Sequence, residues 1–571
     1  MQLDQLRDSL ADYRSLLPYG MLGIAAGIVA AVVVLLFEYA ISAFASFWLQ
    51  QSQALSFTEL PLWARFCLPL AGAAILGLIF QSLKPSDREV GIVHVLSRMH
   101  SHYGQLPWRN AIVQFFGGVV ALGSGQSGGR EGPGVHLGAA INSYVAQRLA
   151  LPNNSQRILI ACGAAASIAS AFNTPLAGVI FAMEVIIAEY TVIGFTPVIL
   201  AAISATTFTR LVRIEEPIMT FPATVGVSLQ ELPFILLLGI ICGSVVALFI
   251  SIMKRTLRTH HLPIFWRFLA AGLITALIAT QLPQVLGFGY DTLEQAVAGN
   301  MPLVLLVAII IAKVLATAIS VGAGMPIGLI APNLVIGGCV GAALAIVSDL
   351  LVPGGASDPV IYVLLGMGAA MAAVLNAPLA AILAVVELSQ SVAVAFPSML
   401  AIIAATLTRS SAFRLPAAHQ VALIHLQRAI PEDPISQLLH QTNVLTVMER
   451  NIQVLPHFLD VEDWSEKVAG ISGWYLLQRD GESMYLIQGD DLRKVLLDTD
   501  TSAGVDLTEL DLRRWSIANL GPRATLREAL DTLRSNTVEA LLVEGAKTKQ
   551  GPSIRGVVTR DTIDQFYLSR F

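Results

Sequence analysis

The sequence predicts an all-α polytopic membrane protein built from broken and tilted helices in two repeats, followed by a soluble α/β C-terminal domain. Three observations carry that fold class. The first is composition: of 571 residues, 55% are hydrophobic and 13% charged, and the mean hydropathy is +0.67. A soluble globular chain carries about 25% charged residues and about 45–50% apolar ones. A purely soluble protein and a disordered or fibrous chain are thereby excluded. A net charge of −5 excludes a nucleic-acid binder driven by charge. The second is distribution. Residues 1–430 hold 18 acidic and 20 basic residues, whereas the 141 residues from 431 onward hold 22 and 15. The first part has the charge density of a membrane domain and the second that of a soluble one, so a boundary is expected near 429–434. The third is repetition, developed below.

Taken in chain order, residues 1–18 are charged and lack an apolar core followed by a small-residue cleavage site. They read as a short surface helix, with Arg7 and Arg14 favouring a cytoplasmic N-terminus. Residues 21–48 are long enough to cross about 30 Å of hydrocarbon with tilt. Apolar segments follow near 63–82, 110–124, 135–149, 157–171, 175–187, 195–211, 233–253, 265–282, 302–320, 327–350, 360–375, 378–388 and 396–412. Several are too short to span, and glycine or proline separates neighbours. Interrupted helices survive at membrane depth only where protein or a water-lined cavity satisfies the freed backbone groups, the signature of a transport site.

Ala171-Phe-Asn-Thr-Pro-Leu-Ala-Gly-Val-Ile-Phe-Ala-Met-Glu184 returns as Val374-Leu-Asn-Ala-Pro-Leu-Ala-Ala-Ile-Leu-Ala-Val-Val-Glu387, an offset of 203. Gly129-Arg-Glu-Gly-Pro133 returns as Gly328-Leu-Ile-Ala-Pro332, an offset of 199. Two pairs that keep order and spacing imply a duplication of about 200 residues, with the substrate site between the halves.

Gly123-Ser-Gly-Gln-Ser-Gly-Gly-Arg-Glu-Gly-Pro-Gly-Val-His136 breaks one apolar helix and opens another, with Pro133 in the first turn, where a missing N–H costs nothing. Helix starts present N–H groups and a positive dipole end, which together bind anions. Residues 324–332 supply an uncharged counterpart. Two such starts would cradle a small anion with partial charges weak enough to release it. Glu131 stands between them, and a carboxylate inside a membrane is functional by default. It can occupy the site as a tethered anion and leave when protonated. An ion pair with Arg130 is the structural alternative. Glu184 and Glu387 are expected to pair or hydrogen-bond at helix ends. Lys313 is expected to snorkel from a helix end. His94, His100 and His102 are expected in a polar loop. The four cysteines lie far apart and read as packing residues.

Other patterns in this stretch compete. Gly123-x-Gly-x-x-Gly128 fits a dinucleotide fingerprint but has no surrounding βαβ unit. Gly125-Gln-Ser-Gly128 fits the nucleophile motif of rhomboid-like peptidases, in which Ser127 would need a histidine base. His136 is the one histidine in a clear membrane segment and is poorly spaced for it.

At Gly129-Arg-Glu-Gly-Pro133 the sequence resembles the CLC family of chloride channels and chloride/proton antiporters, and the resemblance extends over most of residues 20–420. Gly328–Pro332 is similar to the family's Gly-x-Phe-x-Pro element, Asn173–Glu184 to its Asn-x-Pro-Leu-Ala-Gly stretch, and Lys313-Val-Leu-Ala-Thr to its segment ahead of the second site. The resemblance implies inverted halves, a homodimer with one chloride pathway per subunit, Glu131 as the gating glutamate, and anion contacts from backbone amides around Arg130, Gly132, Leu329 and Ile330. It also implies a first anion loop near 86–90, where Gly-Ser-Gly-Ile-Pro is absent and Ser86 is the hydroxyl candidate. Ile330 replaces the family's aromatic, and Pro416-Ala-Ala-His419 occupies the place of its pathway tyrosine. Antiporters of the family carry an internal glutamate directly after the position of Glu184. Here it is Val185, which leaves Glu184 as the proton-pathway candidate and favours weak or absent proton coupling over coupled antiport.

Beyond residue 437 the pattern is α/β. Residues 517–545 read as strand, helix and strand, with Thr525-Leu-Arg-Glu528 as a capping box; residues 555–559 form a further strand before a helix. This resembles the second half of a cystathionine-β-synthase-type (CBS) pair, with residues 443–498 as a weaker first half. Such tails sometimes bind adenine nucleotides, and Thr559 and Asp561 are the ribose candidates. Three function classes follow: CLC-type anion transport, a membrane peptidase, and a nucleotide-sensing receptor without transport.

Overall fold

The computed structural model describes residues 16–49, 57–102, 104–188, 192–213, 228–351, 358–428, 439, 442–459, 473–479, 482–497, 505–548 and 551–568. The expected N-terminal helix up to residue 15, with Arg7 and Arg14, and the expected boundary at 429–434 lie outside them. The chain divides into two bodies, one comprising 16–149 and 156–430, the other 150–155 and the residues from 431.

The first body is helical. Nine helices among the described residues are long and apolar enough to cross a membrane. The segments that matter here come in matched pairs. Helix α1 (Gly91–Ser101) matches α2 (Tyr290–Val297), each starting 199 residues from the other. The long helices Trp108–Gly123 and Leu303–Ala323 lead to α3 (Glu131–Arg148) and α4 (Ile330–Leu351), whose starts are again 199 apart. Pro133 and Pro332 fall at the third position of α3 and α4. Gly125 (φ +85°) and Gly324 (φ +94°), also 199 apart, make the left-handed turns that end the preceding helices. In each half a further helix, Asn153–Phe172 or Pro359–Leu375, ends at an asparagine with positive φ, Asn173 or Asn376, before α5 (Pro175–Phe181) or α6 (Pro378–Ser389).

The sequence offsets of 199 and 203 thus recur in the helix starts, left-handed turns and asparagine caps. Three short helices were not foreseen: α1, α2 and Ala418–His425. His94 and His100 lie on α1 and His102 just beyond it, not in a polar loop, and His94 is buried. α1 is amphipathic, and its polar residues hide its apolar face from a hydropathy window.

The second body holds two three-stranded sheets of the same construction. In one, β1 (Ile452–Pro456) runs parallel to β2 (Trp474–Arg479), which pairs antiparallel with β3 (Glu482–Gln488). In the other, β4 (Ile517–Leu520) runs parallel to β5 (Ala540–Thr548), which pairs antiparallel with β6 (Gly551–Thr559). Trp474, Leu476 and Leu486 from the first sheet share a buried cluster with Ala540, Leu542 and Val557 from the second. Helix α7 (Leu526–Asn536) links β4 to β5 and starts as foreseen. The Glu528 N–H donates to the Thr525 hydroxyl, and the Thr525 N–H donates to the Glu528 carboxylate.

Candidate functional site

The starts of α3 and α4 meet at a pair of glycines. The Gly129 N–H donates to the Gly328 carbonyl at 2.8 Å, and the Gly328 N–H donates to the Gly129 carbonyl at 2.7 Å. This reciprocal antiparallel bridge is the two-fold relation expected of inverted halves. It requires glycine: a Cβ on Gly132 would stand 2.8 Å from Gly328 Cα, and one on Gly328 would stand 2.7 Å from the Gly132 nitrogen. Neither helix start carries a side-chain cap of the Ser or Asp kind, and a proline at the third position removes one donor in each.

Glu131 is the first residue of α3 and is 1% exposed. One carboxylate oxygen accepts a 2.5 Å hydrogen bond from the Tyr290 hydroxyl. The other oxygen is buried with no partner. Arg130 does not pair with it. Its guanidinium lies 3.3 Å from Glu38, which also pairs with Arg213, and it faces the rings of Phe288 and Tyr290 at 5.6 and 6.0 Å. The ion-pair alternative for Glu131 is not what forms, because Arg130 is turned to Glu38, which it shares with Arg213.

Tyr290 is the functional candidate that sequence reasoning missed. Lys313, which precedes the second site in the sequence, helps place it. Lys313 does not snorkel: it is fully buried in mid-helix, and its Nζ faces the carbonyls of Val285 at 3.2 Å, Gly287 at 3.4 Å and Gln284 at 3.5 Å. These carbonyls belong to the turn just before Phe288 and Tyr290. An ammonium in a dry interior needs such acceptors, and that need fixes the turn. The equivalent residue in the other half, 199 earlier, is Gln114. It accepts from the Gly91 N–H at 2.7 Å and donates to the Pro326 carbonyl at 3.1 Å, holding the start of α1 in the same manner.

A cavity of about 360 Å³ reaches this junction, lined at its inner end by Gly132, Gly328 and Leu329. Its charged lining is three arginines, Arg88, Arg267 and Arg428, against one glutamate, Glu89. Arg428 grips Glu89 through two hydrogen bonds of 2.7 and 2.8 Å, which hold the guanidinium's proton more firmly than usual. Arg267 keeps two buried nitrogens unpartnered. The excess of positive charge suits an anion vestibule. Arg267 was not singled out in the sequence, although an arginine inside a segment taken as a span is itself a signal.

The other expected residues divide. Leu329 lines the cavity and Ile330 is buried as the first residue of α4. Ser86 is not brought to the junction: it is exposed, in a short 3₁₀ turn, with its hydroxyl 3.5 Å from Asp87. At that loop the cavity is lined instead by Pro85, Arg88, Glu89, Val90 and Gly91. The Glu184 carboxylate accepts from the Leu379 and Ala380 N–H groups at 3.1 and 2.9 Å, and Glu387 accepts from Leu176 and Ala177 at 2.9 and 2.8 Å. Each glutamate caps the opposite half's helix, as expected of carboxylates at helix ends. Val185 is buried and apolar. The peptidase constellation is absent: the Ser127 hydroxyl meets Thr317 at 2.8 Å, and His136 meets His94. In the tail, the Thr559 hydroxyl is bonded to Thr562 at 2.8 Å and Asp561 lies in the first turn of the last helix. A ribose would have to displace that Thr559 contact.

Residues 72–410 match the family described as voltage gated chloride channel. The chain belongs to that family. It is similar to the H(+)/Cl(-) exchange transporter ClcA of Vibrio parahaemolyticus, at 31% identity over 389 residues, 66% of this chain and 82% of the relative. Among solved structures it is similar to a slow cyanobacterial Cl-/H+ antiporter, with a TM-score of 0.64 and 25% identity over 72% of this chain and 97% of that one. A eukaryotic CLC transporter shares the fold over 98% of this chain and 99% of its own, with a TM-score of 0.59 at 18% identity. The protein is accordingly an integral, multi-pass anion transporter of the CLC type and not an enzyme.

Proposed function

We propose that the chain exchanges chloride for protons, with Glu131 as the gate and proton carrier. The observation that supports this best is one carboxylate, half-satisfied by Tyr290, at the junction of two helix starts whose cavity carries net positive charge. The charged carboxylate and a chloride ion compete for the same partial positive charges. Protonation weakens the carboxylate's hold there and admits the anion. Relatives named H(+)/Cl(-) exchange transporters favour coupling. An apolar, buried Val185 favours the second reading, channel-like flux without protons. Backbone amides of Arg130, Gly132, Leu329 and Ile330 are the proposed anion ligands. On this reading residues 20–430 form the transmembrane domain of a homodimer. Residues 437–571 form a degenerate CBS pair on the cytoplasmic side, a reading supported by the repeated parallel–antiparallel order of its two sheets. An adenine nucleotide is its candidate ligand.

The test is purified protein in liposomes under a chloride gradient, with chloride and pH recorded together and the potential clamped by valinomycin. Chloride efflux should drive protons uphill. Glu131→Gln should cut proton flux at least a hundredfold, since no carboxylate remains at the gate, and flatten the pH dependence of chloride flux. A variant unchanged in both would overturn the gate. Chloride flux without protons in the unmodified protein would establish the second reading.

A further inference from the structure

Five residues beyond Glu131, α3 carries a second titratable group that the gate does not use. His136 is fully buried. Its Nε2 lies 2.9 Å from Nδ1 of His94 on α1, and its own Nδ1 is buried without a partner. His94 is buried as well, but it lines the cavity, and its Nε2 lies 3.8 Å from the Glu89 carboxylate, which is 30% exposed. Two imidazoles in contact inside a membrane domain are costly to bury. The other half shows that packing does not require them. The positions 199 residues on are Leu293 and Val335, both buried in the apolar core.

We propose that His136 and His94 relay protons between the helix that Glu131 begins and the Glu89 carboxylate at the cavity. The inference rests on the proton-coupled reading above. In the tautomer that satisfies both contacts, His136 Nε2–H donates to His94 Nδ1 and His94 Nε2–H points at Glu89. His136 Nδ1 is then a bare lone pair. A proton bound there releases the Nε2 proton to His94, which releases its own Nε2 proton to Glu89. One N–H forms and one breaks on each ring, and an O–H forms on the carboxylate. Both rings then carry Nδ1–H; ring rotation, or a proton travelling the other way, restores the start. The step from Glu131 to His136 covers about 7.5 Å of helix rise and requires a bridging water or a swing of the glutamate. The step from His94 to Glu89 is longer than a direct hydrogen bond and requires a small rotation or a water. The charged and titratable groups around His94 are Glu89, itself held by Arg428 at 2.7 and 2.8 Å, with Arg98, His102 and His136. Burial first, and then the two arginines, disfavour a resting imidazolium, so His94 passes protons on rather than storing them.

The experiment uses the same liposomes and a double variant that borrows the other half's packing, His94→Leu with His136→Val, alongside His136→Gln. The expected result is a chloride-to-proton flux ratio raised at least tenfold in both. An unchanged ratio, with protons still driven uphill by the unmodified protein, overturns the relay and leaves the coupled reading standing. If the unmodified protein moves no protons, the coupled reading fails and the relay with it. If neither variant carries chloride, the pair is part of the pathway wall and the relay is overturned.

Discussion

The start of α3 and the start of α4 share a backbone and differ in chemistry. Both follow a left-handed glycine, both hold proline at their third position, and the two exchange the same pair of hydrogen bonds. Yet one presents Glu131 and the other Ile330. The contrast with Glu184 and Glu387 is instructive. These sit at matched positions, carry the same side chain and do the same thing, each capping a helix of the opposite half. Where the halves agree, the residue serves the shared architecture. Where they disagree, as at Glu131 against Ile330, Tyr290 against Gly91, or His94 and His136 against Leu293 and Val335, the proposed mechanism finds the residues that make the two sides of the site unequal.

Placing a carboxylate on the second helix start breaks that asymmetry most directly. Ile330→Glu puts a second tethered anion at the junction. Chloride flux at pH 7 should fall at least a hundredfold and recover in part in acid, measured in liposomes. Flux near the original level would mean that the two helix starts do not contribute equally to the anion site.

Tyr290→Phe sharpens the comparison at lower cost. On the proposed reading the hydroxyl donates to the carboxylate form of Glu131, so its loss favours the protonated form. The pH of half-maximal chloride flux should move upward. A midpoint that does not move would show that Tyr290 braces the wall without tuning the gate.

The matched glutamates should behave alike. Glu184→Gln and Glu387→Gln each replace a carboxylate that accepts two backbone N–H groups. Each should destabilise the membrane body by about 1.5–3 kcal/mol, the worth of hydrogen bonds to a charged group, seen as similar drops in melting temperature in detergent. A chloride-to-proton ratio that changes in the Glu184 variant alone would restore Glu184 to a proton pathway and break the equivalence.

Much of this was legible in the sequence because it depends on local rules. Glycine and proline mark the helix breaks, the 199 and 203 offsets expose the repeat, and a lone carboxylate in an apolar stretch stands out. What escaped depends on tertiary partners or on short helices. α1 and α2 are too brief and too polar on one side for a hydropathy window, so His94 was placed in a loop and Tyr290 went unnoticed. Lys313 was sent to a helix end because no sequence pattern reveals three carbonyls of a distant turn converging on its ammonium. Ser86 is the candidate by its hydroxyl, but Pro85, Arg88, Glu89, Val90 and Gly91 line the cavity at that loop and Ser86 itself does not. The 199-residue offset that pairs Glu131 with Ile330 also pairs Gly91 with Tyr290, and applied throughout it would have located both short helices.

The smallest effect belongs to a residue outside any matched pair. Thr525 caps α7 in the tail, where its hydroxyl and the Glu528 carboxylate satisfy each other's backbone N–H. Glu528 also accepts two hydrogen bonds from the Asn153 side-chain amide, at 2.8 and 3.0 Å, within the same body. Thr525→Ala removes one acceptor and leaves the glutamate held by Asn153, so the loss should stay near 1 kcal/mol. Denaturant unfolding of the full-length protein with Trp48, Trp63, Trp108, Trp266 and Trp464 replaced by Phe, so that emission comes from Trp474 and Trp515, should show the tail's transition at slightly lower denaturant. The chloride-to-proton ratio should not change, since the cap touches neither helix start. A changed ratio would mean that the tail's local stability reaches the gate, and the asymmetry between α3 and α4 would then no longer account for transport by itself.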